Sequence, residues 1–173
     1  GDAIIGIASN GLHTNGYSLA RKVFFEQMKL KPDSTIPEIS GTIADELLKV
    51  HVSYSGLVLK LIKKFNTTSN HTKAFAHITG GGFVDNIPRV LPKNCDAVIK
   101  KGLWEVLPIF YAIQKYGKID DAEMYQVFNM GIGMTAIVSA DKVDSILKFI
   151  KANKFKAWII GEIVKGSQKT QVV

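Results

Sequence analysis

The feature of the sequence that most constrains the fold is a regular alternation of two hydrophobic patterns. Short apolar runs bounded by turn residues, such as Ala3–Ala8 and Met134–Ser139, are typical of buried strands. Between such runs lie segments whose apolar residues recur at helical spacing, such as Tyr54–Phe65. Because strands that alternate with helices build a sheet covered by helical layers, we predict the α/β class, a mixed β-sheet layered with helices.

The rest of the chain continues the alternation. Further strands are predicted at Ala74–Thr79, Asp96–Lys101, Ala157–Val164 and Thr170–Val173. Further helices are predicted at Tyr17–Met28, Thr42–Lys49, a segment beginning near Asn86 with Pro88 in its first turn, Trp104–Tyr116, Asp120–Phe128, and Asp141–Ala152 capped by Ser139 or Asp141. Since no repeat or low-complexity linker divides these elements, we expect residues 1–173 to form a single domain.

Composition excludes several classes of protein. The single cysteine, Cys95, rules out an internal disulfide and a four-cysteine zinc site. No run of 18 apolar residues exists, so we expect no membrane-spanning helix. The first residues lack the basic start and long apolar stretch of a secretory signal, so we expect a cytoplasmic protein. Because the chain opens without methionine on a strand-like run, we expect a truncated or excised piece of a longer protein.

The chain is basic, with 22 lysines and arginines against 15 acidic residues. The densest acid-free stretch, Lys60–Lys73, contains no arginine block and none of the interleaved aromatic residues that single-strand binders use. We therefore interpret it as a solvated helix face and expect no nucleic-acid partner.

Ser9–Tyr17 is the first of three segments that could carry chemistry. It lies between a predicted strand and a predicted helix and presents polar side chains and free backbone N–H groups to one spot. Its candidate binding residues are Ser9, Asn10, Gly11, Thr14 and Asn15. His13 could donate to an anion or move a proton near neutral pH. The alternative is a tight turn with local caps and a surface histidine.

The second segment is the glycine-rich connection that follows His77. Thr79, Gly80, Gly81 and Gly82 join a predicted strand to a predicted helix, and together with His77 they are the candidate substrate- or phosphate-binding residues of this segment. Consecutive glycines let the backbone approach a ligand closely, and successive N–H groups can form an anion-binding nest. The alternative is a flexible connection without a ligand.

The third segment is Phe128–Met134. Gly131, Gly133 and Ala136 imitate a dinucleotide-binding fingerprint, but they follow a helix and lead into a strand, whereas the fingerprint requires strand, turn and helix. We therefore interpret Gly133 as a tight start of a central strand and keep Asn129 and Gly131 as candidate ligand contacts. We expect no metal site, because the four histidines lack metal-ligand spacing. They are His13, His51, His71 and His77.

Taken in order, these segments resemble the C-terminal domain of the phosphoribosylformylglycinamidine cyclo-ligase (AIR synthetase) family over nearly the whole chain. The most specific matching strings are Asn86-Ile87-Pro88-Arg89-Val90-Leu91-Pro92 and Phe128-Asn129-Met130-Gly131-Ile132-Gly133-Met134. The others are Ser9–Ser18, His77–Gly82, Pro108–Phe110, Glu123–Tyr125 and Ile160–Ile163. Looser glycine loops of this kind occur in the related selenophosphate synthetase and thiamine-phosphate kinase group.

The resemblance implies a reaction and its partners. The family uses ATP and magnesium to close the imidazole ring of formylglycinamidine ribonucleotide and releases ADP and phosphate. It implies a missing N-terminal domain that carries most of the ATP and magnesium binding, an active site between the two domains, and a homodimer. The candidate site residues named above would then form one wall of that cleft, with His13 as the catalytic candidate.

One segment departs from the family pattern. After Leu47-Leu48 the family shows Pro-Thr-basic-x-Tyr, whereas this chain has Val50-His51-Val52-Ser53-Tyr54 after Lys49. Only Tyr54 is retained, so this segment lacks the basic residue with which the family pattern could contact a phosphate. A second hypothesis therefore stays open, that of a non-catalytic anion- or nucleotide-binding module.

Overall fold

A six-stranded sheet forms the centre of the protein in a computed structural model that describes all of residues 1–173. Its strands are β1 (Ala3–Ala8), β2 (Thr72–His77), β3 (Cys95–Ile99), β4 (Ile132–Val138), β5 (Ala157–Lys165) and β6 (Thr170–Val172). They lie in the order β2-β4-β1-β5-β3-β6. Neighbouring strands are antiparallel except for β3 and β6, which are parallel. The predicted mixed sheet is confirmed.

Seven α-helices cover the sheet. They are α1 (Tyr17–Arg21), α2 (Ile43–Leu47), α3 (Ser55–Phe65), α4 (Gly82–Asn86), α5 (Pro108–Gly117), α6 (Asp121–Val127) and α7 (Val143–Ala152). α1 continues as a π-helical segment (Lys22–Gln27), and 3-10 turns occur at Pro88–Val90 and Ala140–Lys142. None of these helices has the length and apolar character needed to cross a membrane.

The alternation of side chains along β1 divides the core between the two faces of the sheet. Ile5 and Ile7 point to the face covered by α3 and α7, where Leu61 and Ile150 are fully buried against them. Ile4 points to the opposite face and joins the larger cluster formed with the remaining helices. Because successive strand residues face opposite sides, a strand buried on both faces must be apolar throughout, as Ala3–Ala8 is.

Two of the predicted helices begin or end elsewhere. The helix predicted from Trp104 starts only at Pro108, because Trp104 is buried and its indole Nε1 donates to the carbonyl of Met130 at 2.8 Å. The helix predicted to begin near Asn86 instead ends there, and Pro88 opens the 3-10 turn that follows.

The predicted cap of the last helix is also wrong. Neither Ser139 nor Asp141 caps it with a side chain: a 3-10 turn at Ala140–Lys142 precedes α7, and the residue before α7 is Lys142. The remaining elements match their predicted positions to within a few residues.

The strand order brings three loops to one edge of the sheet. β1 and β2 both pair antiparallel with β4, so they run in the same direction on either side of it. Their last residues, Ala8 and His77, therefore flank the first residues of β4. The loops after β1 and β2 and the segment before β4 meet at this edge, which brings His13 and the glycine loop to the same side of the sheet.

Candidate active site at one edge of the sheet

Backbone hydrogen bonds extend the sheet beyond the strand ends and fix the three loops. The N–H of Ser9 donates to the carbonyl of Gly131 at 2.9 Å, and the N–H of Ile78 donates to that of Gly133 at 2.9 Å. The candidate residues after β1, after β2 and before β4 are thus held on a rigid scaffold.

Asn129 ties the first loop to the third segment. Its Oδ1 accepts from the Ser9 hydroxyl and the Gly131 N–H, each at 2.8 Å. Its Nδ2 donates to the carbonyls of Gly11 at 2.9 Å and Leu12 at 3.2 Å. Because a side-chain amide offers two acceptor lone pairs and two donor hydrogens, this buried group has no hydrogen-bonding capacity left for a ligand. Asn129 therefore supports the loop, which corrects the expectation that its side chain faces a ligand.

Asn86 performs a similar task for the glycine loop. Its Nδ2 lies 2.8 Å from the carbonyl oxygen of Gly82 and 3.2 Å from those of Thr79 and Gly80, and its Oδ1 accepts from the Thr79 hydroxyl at 2.9 Å. The N–H and C=O of a trans peptide point in opposite directions. With three carbonyls drawn to one side, the N–H groups of the peptides that follow them point to the other side. Sequence reasoning did not assign Asn86 to the site.

The glycines of this loop have conformations and spaces that a side chain would not tolerate. Gly81 has φ +93°, and a Cβ atom there would lie 2.4 Å from Oδ2 of Asp85. Gly82 has φ +57°, and its Cβ atom would overlap the carbonyl oxygen of Tyr125. Gly80 lies against the first loop, since its Cβ position is 3.4 Å from Oδ1 of Asn15. Asn15 of the first loop therefore lies close to the glycine loop, and Asp85 places a carboxylate beside Gly81.

His13 is the most buried polar residue of the first loop. It is the residue for which the sequence predicted proton transfer or ligand binding. Its backbone is left-handed, with φ 59°, a conformation uncommon for residues other than glycine. The Tyr17 hydroxyl lies 2.9 Å from the His13 carbonyl oxygen and 2.5 Å from that of Leu47. The side chain is 4% exposed, and neither ring nitrogen has a hydrogen-bond partner.

Two further histidines surround His13. Its ring stacks on that of His51, with centroids 3.9 Å apart and planes 22° from parallel. Nε2 of His51 lies 3.2 Å from Nε2 of His77, at the end of β2. One ring nitrogen from each of the three residues lies within 4.8 Å of the others. Sequence spacing gave no signal for this cluster, because its three histidines come from separate parts of the chain, and the expectation of no metal site rested on that spacing.

Gly133 and Tyr54 complete the surroundings of the cluster. The Tyr54 hydroxyl donates to the carbonyl of Ala8 at 2.7 Å, which joins the start of α3 to the end of β1. A Cβ atom on Gly133 would lie 2.6 Å from Cε1 of His13 and would overlap the Tyr54 hydroxyl. The glycine in β4 therefore provides the space that both rings occupy.

Burial controls the protonation of the cluster. It lowers the pKa of His13 to about 4, with smaller contributions from the nearby His51 and His77 rings. Burial also lowers the pKa of His77, with His51 adding to the effect, and it raises the pKa of Tyr54. At neutral pH His13 and Tyr54 are therefore uncharged groups that can exchange hydrogen bonds with a ligand.

Five further predicted residues line two separate depressions at this edge of the sheet. Thr14 and Asn15 line an open depression of about 620 Å³ that also contains Lys22 and Glu123. Ser9, Asn10 and Gly131 line another of about 460 Å³, on the side of Lys156. The cluster itself borders a third depression of about 590 Å³, formed by the His51–Ser55 segment, β2 and β4.

Proteins of known sequence match the whole chain. The AIR synthase related protein, C-terminal domain family matches residues 1–173. A phosphoribosylformylglycinamidine cyclo-ligase of Syntrophus aciditrophicus is 50% identical over 173 residues, which are 100% of this chain and 48% of that protein. One of Caldicellulosiruptor bescii is 47% identical over 167 residues, or 96% of this chain and 48% of its own length. The chain spans about half the length of these relatives.

Solved structures share the fold at low identity. The hydrogenase maturation protein HypE superposes with a TM-score of 0.62 at 12% identity, covering 99% of this chain and 49% of its own. Thiamine-monophosphate kinase from Stenotrophomonas maltophilia K279a gives 0.57 at 14% identity, covering 99% and 50%. The family match extends from the first residue of the chain to the last, and the Syntrophus aciditrophicus relative shares half of its residues. The chain therefore belongs to the AIR synthase related protein, C-terminal domain family.

Proposed function

We propose that this chain is the C-terminal half of an ATP-dependent phosphoribosylformylglycinamidine cyclo-ligase. The complete enzyme would close the ring of formylglycinamidine ribonucleotide to aminoimidazole ribonucleotide and release ADP and phosphate. The observation that carries the proposal is the joining of the first loop, the glycine loop and the Asn129 segment at one sheet edge, in a chain whose curated relatives bear that name. The proposed reaction is a step of purine biosynthesis, as the name of those relatives implies.

The glycine loop is the part best suited to hold the ribose phosphate of the substrate. Asn86 draws the carbonyls of Thr79, Gly80 and Gly82 to one side, which leaves N–H groups directed to the other. Backbone N–H groups in such a turn can bind an anion without a lysine. The carboxylate of Asp85 opposes this role, because it lies against Gly81. We therefore expect the phosphate on the side of the loop away from Asp85.

His13 serves substrate binding in this proposal more than proton transfer. A buried imidazole whose pKa lies at about 4 is neutral at pH 7 and can donate or accept one hydrogen bond. Both of its nitrogens lack partners within the chain, so a ligand oxygen or nitrogen would relieve an unfavourable burial. Proton transfer by His13 during ring closure is the competing role.

ATP and magnesium would be bound mainly by the N-terminal domain of the complete enzyme. HypE, which shares this fold, has been solved in complex with ATP. Magnesium prefers oxygen ligands in octahedral geometry, whereas the clustered donors of this chain are imidazole nitrogens. The histidine cluster therefore does not fit magnesium.

The whole enzyme would place its active site between two domains. The relatives are about twice as long as this chain, which leaves room for an N-terminal domain of similar size. Exposed apolar side chains beside the cluster, Leu48 at 78% and Val50 at 84% exposure, suit contact with such a domain. A homodimer and a cytoplasmic location are the further expectations.

A non-catalytic module is the second candidate function. The Val50–Ser53 segment lacks the basic residue of the family pattern, and the carboxylate of Asp85 lies at the glycine loop. A chain that binds an anion or nucleotide for a partner protein would tolerate both features.

A hybrid enzyme distinguishes the two candidates. Residues 1–173 replace the corresponding half of the Syntrophus aciditrophicus enzyme, and aminoimidazole ribonucleotide formation is measured with ATP and magnesium. We expect a rate within about tenfold of the parent, or ~1.4 kcal/mol of activation free energy. A folded hybrid that binds ATP but forms no product would support the non-catalytic module. The chain alone should be folded and inactive, and turnover by the chain alone at the parent's rate would contradict the half-site proposal.

Two variants of the hybrid test the glycine loop. Gly81→Val adds a side chain where φ is +93° and should weaken substrate binding, but it also strains the loop. Asp85→Asn avoids that strain and removes a negative charge from the opposite side of the glycine loop, which repels the proposed phosphate at longer range, so it should lower KM several-fold at low salt. Asp144→Asn, on the exposed start of α7, is the matched control and should leave KM unchanged. An unchanged KM in both Gly81→Val and Asp85→Asn would exclude the loop as the phosphate site.

A further inference from the structure

Three histidines from three separate parts of the chain meet at the site edge. His13 lies in the loop after β1, His51 in the segment between α2 and α3, and His77 at the end of β2. One nitrogen from each lies within 4.8 Å of the others. Three imidazoles are a donor set that binds zinc in proteins, with a fourth position left to water or substrate.

Contacts within the protein do not explain why the polar side chain of His13 is buried. Its side chain is 4% exposed, and both Nδ1 and Nε2 lack hydrogen-bond partners. An unsatisfied buried polar atom costs about 1–3 kcal/mol, so a native site of this kind requires an explanation. A metal ion bound by one nitrogen would satisfy that atom.

The spacing of the other two rings agrees with a shared metal. Nε2 of His51 and Nε2 of His77 are 3.2 Å apart. Two nitrogens bound to one tetrahedral zinc at about 2.0–2.1 Å lie about 3.3 Å from each other. The stacked rings of His13 and His51 must tilt so that their lone pairs converge, because their planes are now 22° from parallel.

We propose that His13, His51 and His77 bind one divalent transition-metal ion of the zinc class. The open coordination position faces the depression of about 590 Å³, where Tyr54 and Met134 line the wall. Water or an anionic oxygen would occupy that position. His51 lies in the Val50–Ser53 segment that departs from the pattern of the family this chain resembles.

The chemistry of the donors selects the metal. Neutral imidazole suits zinc, copper, nickel and iron, whereas magnesium and calcium require oxygen ligands. The proposed histidine site is therefore distinct from the site of the magnesium ion that is expected with ATP. It does not depend on the proposed cyclo-ligase activity.

Cobalt provides a direct measurement. The untagged 173-residue chain is freed of metal with a chelator and titrated with Co²⁺, whose visible absorption is far stronger in tetrahedral than in octahedral coordination. We expect one Co²⁺ per chain, displaced by one equivalent of Zn²⁺ that binds with a Kd of about 1 μM or lower. Mg²⁺ should displace neither ion. The absence of stoichiometric binding would overturn the proposal.

Variants assign the ligands. His51→Gln should weaken Zn²⁺ binding at least about 100-fold, since even loss of a group that only supports a ligand costs 10–100-fold. His71→Gln, the matched control, changes the one histidine outside the cluster and should leave binding unchanged. Equal binding by the wild type and His51→Gln, or equal loss in both variants, would overturn the assignment. Circular dichroism of each metal-free variant shows whether the fold is retained, and His77→Gln is measured if His51→Gln unfolds.

The metal-site proposal and the cyclo-ligase proposal can each be refuted without the other. An inactive hybrid enzyme that still gives the Co²⁺ spectrum would refute the cyclo-ligase proposal and leave the metal site in place. An active hybrid whose histidines bind no metal would refute the metal site and leave the cyclo-ligase proposal in place.

Discussion

Gly133 and Tyr54 occupy complementary positions: a Cβ atom on the glycine would stand where the tyrosine hydroxyl now donates to the carbonyl of Ala8. The same Cβ atom would press on the His13 ring. A glycine within a strand, which lowers local stability, is thus what allows an aromatic hydroxyl and an imidazole to lie against the backbone of β4.

Gly133→Ala should therefore destabilise the protein. The added methyl group must displace Tyr54 and His13, and overpacking of this kind costs about 1–3 kcal/mol. Gly56→Ala is the matched control, because nothing lies within 4 Å of its Cβ position in α3 and alanine favours a helix. That variant should be neutral or more stable by up to about 1 kcal/mol. Urea unfolding measures both, and equal stability of the two variants would contradict the packing argument.

Asn129→Ala should cost more than an ordinary polar substitution. It removes hydrogen bonds that join Ser9, Gly11, Leu12 and Gly131, all in a buried place. Leaving such groups unpaired should lower the free energy of unfolding by about 3 kcal/mol or more. Asn153→Ala, at the partly exposed end of α7, is the control and should cost about 1 kcal/mol. If the Asn129 variant lost no more than the control, the amide would not hold the loop as inferred.

His13→Asn in the hybrid enzyme separates binding from proton transfer. Asparagine tolerates the left-handed backbone at this position and keeps hydrogen bonding, but it does not titrate. We expect KM for the nucleotide substrate to rise while kcat is largely retained. A fall in kcat of about 10²–10⁴ would instead indicate general acid–base catalysis. If neither constant changes, His13 does not belong to the substrate site.

Asp96 should make stability sensitive to acid. Its Oδ1 accepts from the N–H groups of Ser167 at 2.7 Å and Lys169 at 2.8 Å. The Lys169 N–H, followed by that of Ser167, lowers the pKa of this carboxyl below its ordinary 3.8. Because the folded pKa lies below the unfolded one, the stabilisation is present above the unfolded value and is lost as pH falls through the folded value.

Asp96→Asn keeps an acceptor but no charge. It should be less stable than the wild type in urea at pH 6, and the difference should shrink at pH 3. Asp144→Asn, with an exposed carboxylate, is the control for the general effect of charge. A difference between the wild type and Asp96→Asn that stays constant with pH would exclude the proposed linkage.

Local patterns in the sequence predicted most of the secondary structure and the chemical character of the loops. The run Ala3–Ala8 is a strand with the predicted bounds, because a continuous apolar run, typical of a strand buried on both faces, is a property of neighbouring residues. The loops at Ser9–Tyr17 and Thr79–Gly82 were found from their glycines and polar residues for the same reason. Trp104 failed as a helical residue because a distant carbonyl, that of Met130, holds its indole.

The partners of the site residues depended on the tertiary structure. Asn129 was expected to face a ligand, and the fold instead surrounds it with two loops that consume its amide. The sequence assigned no role to His51, which was only one residue of a segment that departs from the family pattern. The order of β2, β4 and β1 nevertheless places it between His13 and His77. Hydrophobic periodicity specifies which face of a segment is buried, but not which distant segment it meets. That choice follows from strand order and close packing, where the absent side chain of Gly133 admits the rings that form the site.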